Sequence, residues 1–249
     1  TTRKLLASSS GIIIVTGPTG SGKTTSLYAF LSELIGDERK IITVEDPVEY
    51  QTPGITQIQV HSEIGLSFAS VLRSVLRQDP DIILVGEIRD RETAETAVQA
   101  ALTGHLVLAT LHTNDAASAF VRLMDMGVES YLLATSVIGV MAQRLVRKSC
   151  IHCKSPDQTG SGQAEALGYV DLEKKWPGLS VDRNYAESEG CPVCMGTGFA
   201  GRRSIFEMFA VNENIRRVIA TEPEQLSAHL AESGFRDRKS TRLNSSHRT

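Results

Sequence analysis

Apolar residues follow two patterns over the first 147 positions of the chain: unbroken runs and helical spacing. Unbroken apolar runs, which are typical of strands buried on both faces, are GIIIVTG (11–17), KIITVED (40–46), DIILVGE (81–87) and HLVLATLH (105–112). Between these runs, apolar residues recur at helical spacing, for example Leu27, Leu31 and Leu34. The alternation predicts an α/β fold with a mainly parallel sheet and helices on both faces.

Two of the predicted helices carry signals at both ends. Asp90 is the expected N-cap of the first helix, which Gly104 ends. Asn114 or Asp115 caps the second helix, and Gly127 ends it. These signals limit each helix to the interval between two predicted strands.

The alternation stops near Cys150, where Gly, Ser and Pro become frequent and core periodicity is lost. We therefore expect four parts in the chain. They are an α/β core (1–147), a small second module (148–210), C-terminal helices that end early (211–237) and a disordered or foreign tail (238–249).

Composition narrows the function classes. The chain has 249 residues, 41% hydrophobic residues and a net charge of -3, which are ordinary values for a globular protein. This acidic balance and the 5% aromatic content argue against nucleic-acid binding. The apolar segment YLLATSVIGVMA (131–142) is shorter than the roughly 18 residues of a spanning helix, so we expect a buried helix there.

The N-terminal residues support two further expectations. The N-terminal residues show no signal peptide, which predicts a reducing compartment and no structural disulfides. The first residue is not Met, so we expect the chain to be a fragment of a longer protein.

A phosphate-binding loop is the strongest motif. The segment GPTGSGKT (17–24) fits G-x-x-x-x-G-K-[ST] and lies between an apolar strand and an amphipathic helix, the context that this motif requires. Lys23 is expected to reach the β- and γ-phosphates of ATP, and the Thr24 hydroxyl to bind Mg²⁺. The predicted nucleotide-binding residues are Gly17, Pro18, Thr19, Gly20, Ser21, Gly22, Lys23, Thr24 and Thr25.

Carboxylates and histidines stand at the ends of the other predicted strands. Glu87 follows one strand and is the candidate for holding Mg²⁺, directly or through water. A carboxylate of TVEDPVEY (43–50) could activate a water molecule, and spacing leaves Glu45, Asp46 and Glu49 open. His105 and His112 flank a strand, and each is either a γ-phosphate sensor or a structural histidine.

All four cysteines form two C-x-x-C pairs. Cys150, Cys153, Cys191 and Cys194 have the arrangement of a tetrahedral Zn²⁺ site with an inserted loop. Two disulfides or four free thiols are the alternatives.

The order of the motifs resembles that of a known family. GPTGSGKTT, TVEDPVEY, LRQDPDIILVGEIRD and ALTGHLVLATLHTNDA are similar to the Walker A, Asp-box, Walker B and His-box segments of the secretion ATPases of type II secretion and type IV pili. The resemblance covers residues 10–210. It implies a RecA-like, P-loop core that works as a homohexamer and moves pilin or pseudopilin subunits with inner-membrane platform proteins.

Residue roles also follow from the resemblance. It implies that Glu45 activates water, that Glu87 is the Mg²⁺ carboxylate, and that His105 and His112 are the two His-box residues. The N-terminal domains of the family, which attach it to the inner membrane from the cytoplasm, are absent from this sequence. The four-cysteine module resembles that of assembly and export motors.

Other function classes are a RecA-type nucleic-acid translocase and a nucleotide-binding scaffold without turnover. The acidic balance disfavours the first. The presence of Lys23, Thr24, Glu45 and Glu87 disfavours the second.

Overall fold

The structure is a computed structural model that describes residues 2–36, 38–156 and 186–232. These residues form two compact units. The first unit comprises 2–144 with 206–232, and the second comprises 145–156 with 186–205. The predicted tail and the final residues of the predicted C-terminal helices lie outside the described residues, as does much of the predicted module. The division of the chain into the four predicted parts stays a prediction.

A seven-stranded sheet has the order β3-β2-β4-β5-β1-β6-β9, and its strands β1 to β5 lie wholly within the first unit. Its strands are β1 (Gly11–Thr16), β2 (Ile41–Glu45), β3 (Thr56–Gln59), β4 (Ile82–Val85), β5 (Leu106–Leu111), β6 (Val137–Ser149) and β9 (Phe199–Ala210). The neighbours β3-β2, β2-β4, β4-β5, β5-β1 and β1-β6 all pair in parallel. The predicted α/β class and its mainly parallel sheet are confirmed.

Helices precede, separate and follow these strands. They are α1 (Thr2–Leu6), α2 (Lys23–Leu34), α3 (Phe68–Val75), α4 (Arg91–Leu102), α5 (Ser118–Asp125), α6 (Ser130–Ser136), α7 (Glu213–Thr221) and α8 (Leu226–Glu232). Asp90 caps α4 as predicted, since its carboxylate accepts a hydrogen bond from the Thr93 amide at 2.8 Å. Asp115 accepts from the Ser118 amide at 2.8 Å and so supports the start of α5.

Strand β1 shows why the core strands are apolar at every position. All six of its residues are buried, because helices cover both faces of the sheet. Ile12 and Ile14 pack in the apolar cluster that contains α3 to α8, whereas Ile13 and Val15 pack with α1 and α2. Successive side chains of a strand point to opposite faces, so a strand between two helical layers needs apolar residues throughout.

The prediction of a single buried helix over 131–142 is wrong. Helix α6 ends at Ser136, and β6 begins at Val137. Val137 lies opposite Ile12, and the pairing with β1 continues to Ala142 opposite Thr16. A buried helix and a strand buried on both faces give the same unbroken apolar run, so periodicity did not separate them.

Two further strands were not predicted. β3 lies at one end of the sheet order, and its four residues are exposed or half-buried. β9 lies at the other end and is mostly exposed until Phe209. Neither strand carries the apolar run that marked the central strands.

The second unit contains a short antiparallel pair. It joins β7 (Lys154–Pro156) to β8 (Ala186–Ser188). A 3₁₀ turn follows at Pro192–Cys194.

Candidate functional site

The carboxyl ends of four parallel strands meet at one edge of the sheet. The 17–24 loop follows β1, Glu45 ends β2, Glu87 follows β4 and His112 follows β5. Ligands of open α/β sheets bind at this edge. The sequence therefore brings these predicted site residues to the same edge of the first unit.

The 17–24 loop has backbone geometry that requires glycine. Gly17, Gly20 and Gly22 have φ angles of 146°, 75° and 86°. A Cβ atom at Gly17 would also collide with the carbonyl oxygen of Gln143. Gly22 precedes α2 without a side-chain cap, so the first amides of this 12-residue helix are not satisfied by a capping side chain.

Ser21 adds a polar group to this loop. Its Oγ atom is buried and has no hydrogen-bond partner among the described residues. Uncapped amides, the partial positive charge of a helix start and a buried hydroxyl together fit an anionic group such as a phosphate.

Lys23 folds back onto the loop. Its Nζ atom donates to the carbonyl oxygens of Gly17 at 2.8 Å and Pro18 at 3.2 Å. Burial lowers the pKa of Lys23, and the Glu87 carboxylate opposes this effect. The ammonium group thus lies where an incoming phosphate could replace the loop carbonyls as its partner.

His112 connects Lys23 to Glu87. Its Nδ1 atom lies 3.4 Å from Lys23 Nζ, and its Nε2 atom lies 3.2 Å from Glu87 Oε1. A neutral imidazole protonated on Nε2 satisfies both contacts, because Nδ1 then accepts from the ammonium and Nε2 donates to the carboxylate. The arrangement joins the ends of β4 and β5 to the start of α2.

Glu87 has a second partner that the sequence did not predict. Arg89 Nε donates to Glu87 Oε2 at 2.7 Å, and another nitrogen of Arg89 lies 3.9 Å from Asp46. The Glu87 side chain is 18% exposed, so it remains open to a ligand. A carboxylate in this position is a suitable oxygen ligand for Mg²⁺.

Glu45 is held inside the protein. The residue is 4% exposed. Its Oε1 atom accepts from the Thr43 hydroxyl at 2.5 Å and from Gln57 Nε2 at 3.2 Å, and its Oε2 atom accepts from the Tyr28 hydroxyl at 2.6 Å. Tyr28 and Gln57 are functional candidates that the sequence did not indicate, because their proximity to Glu45 depends on the fold.

The remaining predicted residues are placed differently. Thr24 and Thr25 lie in the first turn of α2, where Thr24 is half-buried and Thr25 exposed. Glu49 is exposed beyond β2. His105 precedes β5 and lies at the opposite edge of the sheet from His112, about 23 Å away for seven extended residues. Its Nδ1 atom lies 2.9 Å from the Ala100 carbonyl oxygen, a local contact.

The second unit brings its four cysteines together. All of their Sγ atoms lie within 4.8 Å of one another. The pairs Cys150–Cys191, Cys153–Cys194 and Cys191–Cys194 have Sγ–Sγ distances of 3.9, 3.8 and 3.7 Å. Four thiolates around a tetrahedral Zn²⁺ at a Zn–S distance of about 2.3 Å are about 3.8 Å apart. The observed separations therefore fit this ion.

Backbone amides also point at this cluster. Cys194 Sγ accepts from the amides of Cys191 at 3.1 Å and Gly198 at 3.3 Å. Burial alone would raise the pKa of the Cys194 thiol, but these amides and the neighbouring thiols lower it to about 6. The amides thus stabilise a thiolate, the form that binds metal.

No helix among the described residues is long and apolar enough to cross a membrane.

The fold and the strand-end site define an open, mainly parallel α/β protein with a glycine-rich loop between β1 and α2. The chain belongs to the Type II/IV secretion system protein family, whose model matches residues 1–249. The resemblance drawn from the four motifs is thus confirmed.

Relatives of similar sequence agree with this family assignment. The chain is 54% identical over 209 residues to type II secretion system protein HxcR of Pseudomonas aeruginosa, a match that covers 84% of this chain and 39% of the relative. It is 50% identical over 220 residues to type II secretion system ATPase E of Vibrio cholerae, covering 88% and 42%. The chain thus spans about two fifths of these relatives.

The fold is similar to that of the pilus retraction motor PilT with bound ADP. The TM-score is 0.65 and the identity 29%, and the match covers 98% of this chain and 64% of the motor. The ATPase DotB of Legionella pneumophila also shares the fold, with a TM-score of 0.63 and 24% identity. This match covers 97% of this chain and 62% of the DotB chain.

Proposed function

We propose that this chain is the motor region of a Mg²⁺-dependent ATPase that drives pseudopilin assembly in type II secretion. The observation that carries this proposal is that His112 contacts both Lys23 and Glu87, while Glu45 ends a parallel strand at the same edge of the sheet. Relatives of about 50% identity are named for type II secretion, which favours this process over type IV pilus extension.

The 17–24 loop would hold the phosphates of ATP in a RecA-like, P-loop core. In this role its amides and the Ser21 hydroxyl bind phosphate oxygens, and Lys23 leaves the loop carbonyls for the β- and γ-phosphates. Mg²⁺, when bound, supplies positive charge that neutralises the phosphates. Thr24 and Glu87 would hold it, with Glu87 acting directly or through water.

Glu45 would act as the general base. A water oxygen forms a bond to the γ-phosphorus, the bond from that phosphorus to the bridging oxygen of ADP breaks, and Glu45 Oε2 takes the proton of the water. Oε1 already accepts two hydrogen bonds whereas Oε2 accepts one, so Oε2 has the greater remaining capacity to accept. His112 would report the state of the nucleotide, because it contacts both Lys23 and Glu87. The corresponding role of His105 rests on the family resemblance alone.

The cysteine cluster would bind one Zn²⁺ and stabilise the second unit. Its support is the fit of the Sγ separations to a tetrahedral thiolate site. As a motor, the protein would form a homohexamer and act on inner-membrane platform proteins. It would work from the cytoplasm, where ATP is available, without binding nucleic acid.

Substitution of Lys23 by Ala tests the proposal. We expect Lys23→Ala to reduce phosphate release from Mg²⁺-ATP by at least about 100-fold, because the ammonium group that stabilises the negative charge of the transferred phosphate is lost. Lys4→Ala, which removes an exposed lysine of α1, is the matched control and should retain turnover. Equal rates for the two variants would refute the ATPase assignment.

A further inference from the structure

The Tyr28 hydroxyl occupies a distinctive place beside Glu45. It is the single described donor to Glu45 Oε2, at 2.6 Å, whereas Oε1 has two donors. Tyr28 is itself 4% exposed, so water does not readily replace its hydroxyl. The orientation of Oε2 therefore depends on this phenol.

The direction of the hydrogen bond is fixed by the surroundings of Tyr28. Gln57 Nε2 donates to the Tyr28 oxygen at 3.0 Å, which leaves the phenol proton for an acceptor. Glu45 Oε2 is closer than the other acceptor, the Tyr50 carbonyl oxygen at 3.4 Å. Burial, followed by the hydrogen bond to Glu45, raises the pKa of Tyr28, so the phenol keeps its proton near neutral pH.

The position of Tyr28 in the chain links two parts of the site. Tyr28 lies on α2, five residues after Lys23, with which this helix begins. One rigid helix thus carries both the ammonium group at the 17–24 loop and the phenol at Glu45. A shift of α2 on phosphate binding would move the donor to Glu45 as well.

We propose that Tyr28 is a positioning residue that orients Glu45 Oε2 toward the attacking water. The inference rests on the proposed role of Glu45 as general base. The phenol acts through the carboxylate, fixing the direction of its remaining acceptor site. Preorganised hydrogen bonds of this kind affect turnover more than substrate binding.

The matched pair Tyr28→Phe and Tyr50→Phe tests this role. Both substitutions remove one hydroxyl and keep the aromatic ring, and the two rings pack with centroids 4.2 Å apart. The Tyr50 side chain is half exposed, and its hydroxyl has no hydrogen-bond partner among the described residues. We expect Tyr28→Phe to lower kcat about 10- to 100-fold, the range for a lost hydrogen bond to a charged group. KM and the Kd of ATP should change less than about twofold, and Tyr50→Phe should match the wild type.

A double-mutant cycle with Glu45→Gln separates positioning from a general structural effect. If Tyr28 acts through Glu45, adding Tyr28→Phe to Glu45→Gln should lower the residual rate by less than about twofold. An equal loss in both backgrounds, or a weakened Kd for ATP, would overturn the inference. So would wild-type turnover in Tyr28→Phe while Glu45→Gln is inactive. Wild-type turnover in Glu45→Gln would instead refute the proposed role of Glu45, on which the inference depends.

Discussion

The two units of the chain are stabilised in different ways. In the first unit, β1 and β5 are buried at every position between two layers of helices. In the second, the described residues include large apolar side chains that are mostly exposed, among them Ile151 at 78% and Met195 at 89%. The buried residues described there are Cys150, Cys194 and Gly198.

This contrast indicates where each unit obtains its stability. Apolar burial near 25 cal/mol per Å² stabilises the first unit without any ligand. The described part of the second unit buries two of its four cysteines and no apolar core, so metal ligation is the expected source of its stability. Perturbations of burial and of ligation should therefore affect different units.

Loss of a cysteine ligand should have the largest effect. We expect Cys191→Ser to release the Zn²⁺ and to remove hydrogen-exchange protection over 186–205, because three thiolates do not close a structural tetrahedral site. Protection of β5 and the Kd of ATP should stay unchanged. Elemental analysis and hydrogen exchange measured by mass spectrometry give both results.

Ser32→Ala is a suitable control for Cys191→Ser, because within the described part of the chain the Ser32 hydroxyl donates to the Tyr28 carbonyl oxygen of the same helix. It should leave the zinc content at one per chain. Reduced, folded wild-type protein without zinc would contradict the proposed site. A collapse of ATP affinity in Cys191→Ser would show that the metal also supports the first unit.

The converse perturbation removes apolar burial from the first unit. Leu108 is fully buried in the middle of β5. We expect Leu108→Ala to lower the free energy of unfolding of the first unit by about 2–5 kcal/mol, through lost transfer energy and a residual cavity. Urea unfolding, monitored by hydrogen exchange of the β5 amides, measures this loss. The zinc content should not change.

Leu102→Ala makes the same change at the end of α4, where the side chain is 39% exposed. It should cost less than about 0.5 kcal/mol. Similar losses in Leu102→Ala and Leu108→Ala would mean that burial does not govern the stability of this unit.

The same contrast explains which elements the sequence predicted. Strands β1, β2, β4 and β5 were predictable because burial on both faces demands an unbroken apolar run. Strand β6 satisfies the same demand, but its apolar run continues without a break from α6, so periodicity predicts one helix over both elements. β3 and β9 lie at the ends of the sheet order and carry no such run.

The candidate site, like the fold, was predictable only where a local sequence pattern marks its residues. Motifs placed the 17–24 loop, Glu45 and Glu87 at or directly after strand ends, and parallel strands bring their carboxyl ends to one edge. The donors Tyr28 and Gln57 were missed, because their contacts with Glu45 connect residues of α2, β2 and β3. Local patterns do not encode such contacts.

A finer test concerns the hydrogen bonds around the thiolates. The Gly198 amide donates to Cys194 Sγ at 3.3 Å, and its backbone has a φ angle of 72°. A Cβ atom on Gly198 would collide with the carbonyl oxygen of Ser188. Gly196 has a φ angle of 75°, but a Cβ atom there would meet nothing within 4 Å. The two glycines thus share their left-handed backbone conformation and differ in the clash with Ser188.

The clash with Ser188 should displace the amide of residue 198 from Cys194 Sγ, so we expect Gly198→Ala to weaken zinc affinity about 10- to 100-fold, the range for loss of a supporting hydrogen bond at a metal site. This effect is smaller than the loss of a ligand, because all four cysteines remain. Gly196→Ala carries the same left-handed strain without the clash, so its zinc affinity should stay closer to that of the wild type. Competition with a chromophoric chelator measures both affinities. If zinc affinity fell equally in the two variants, the cause would be backbone strain. The amide of Gly198 would then make no separate contribution to metal binding.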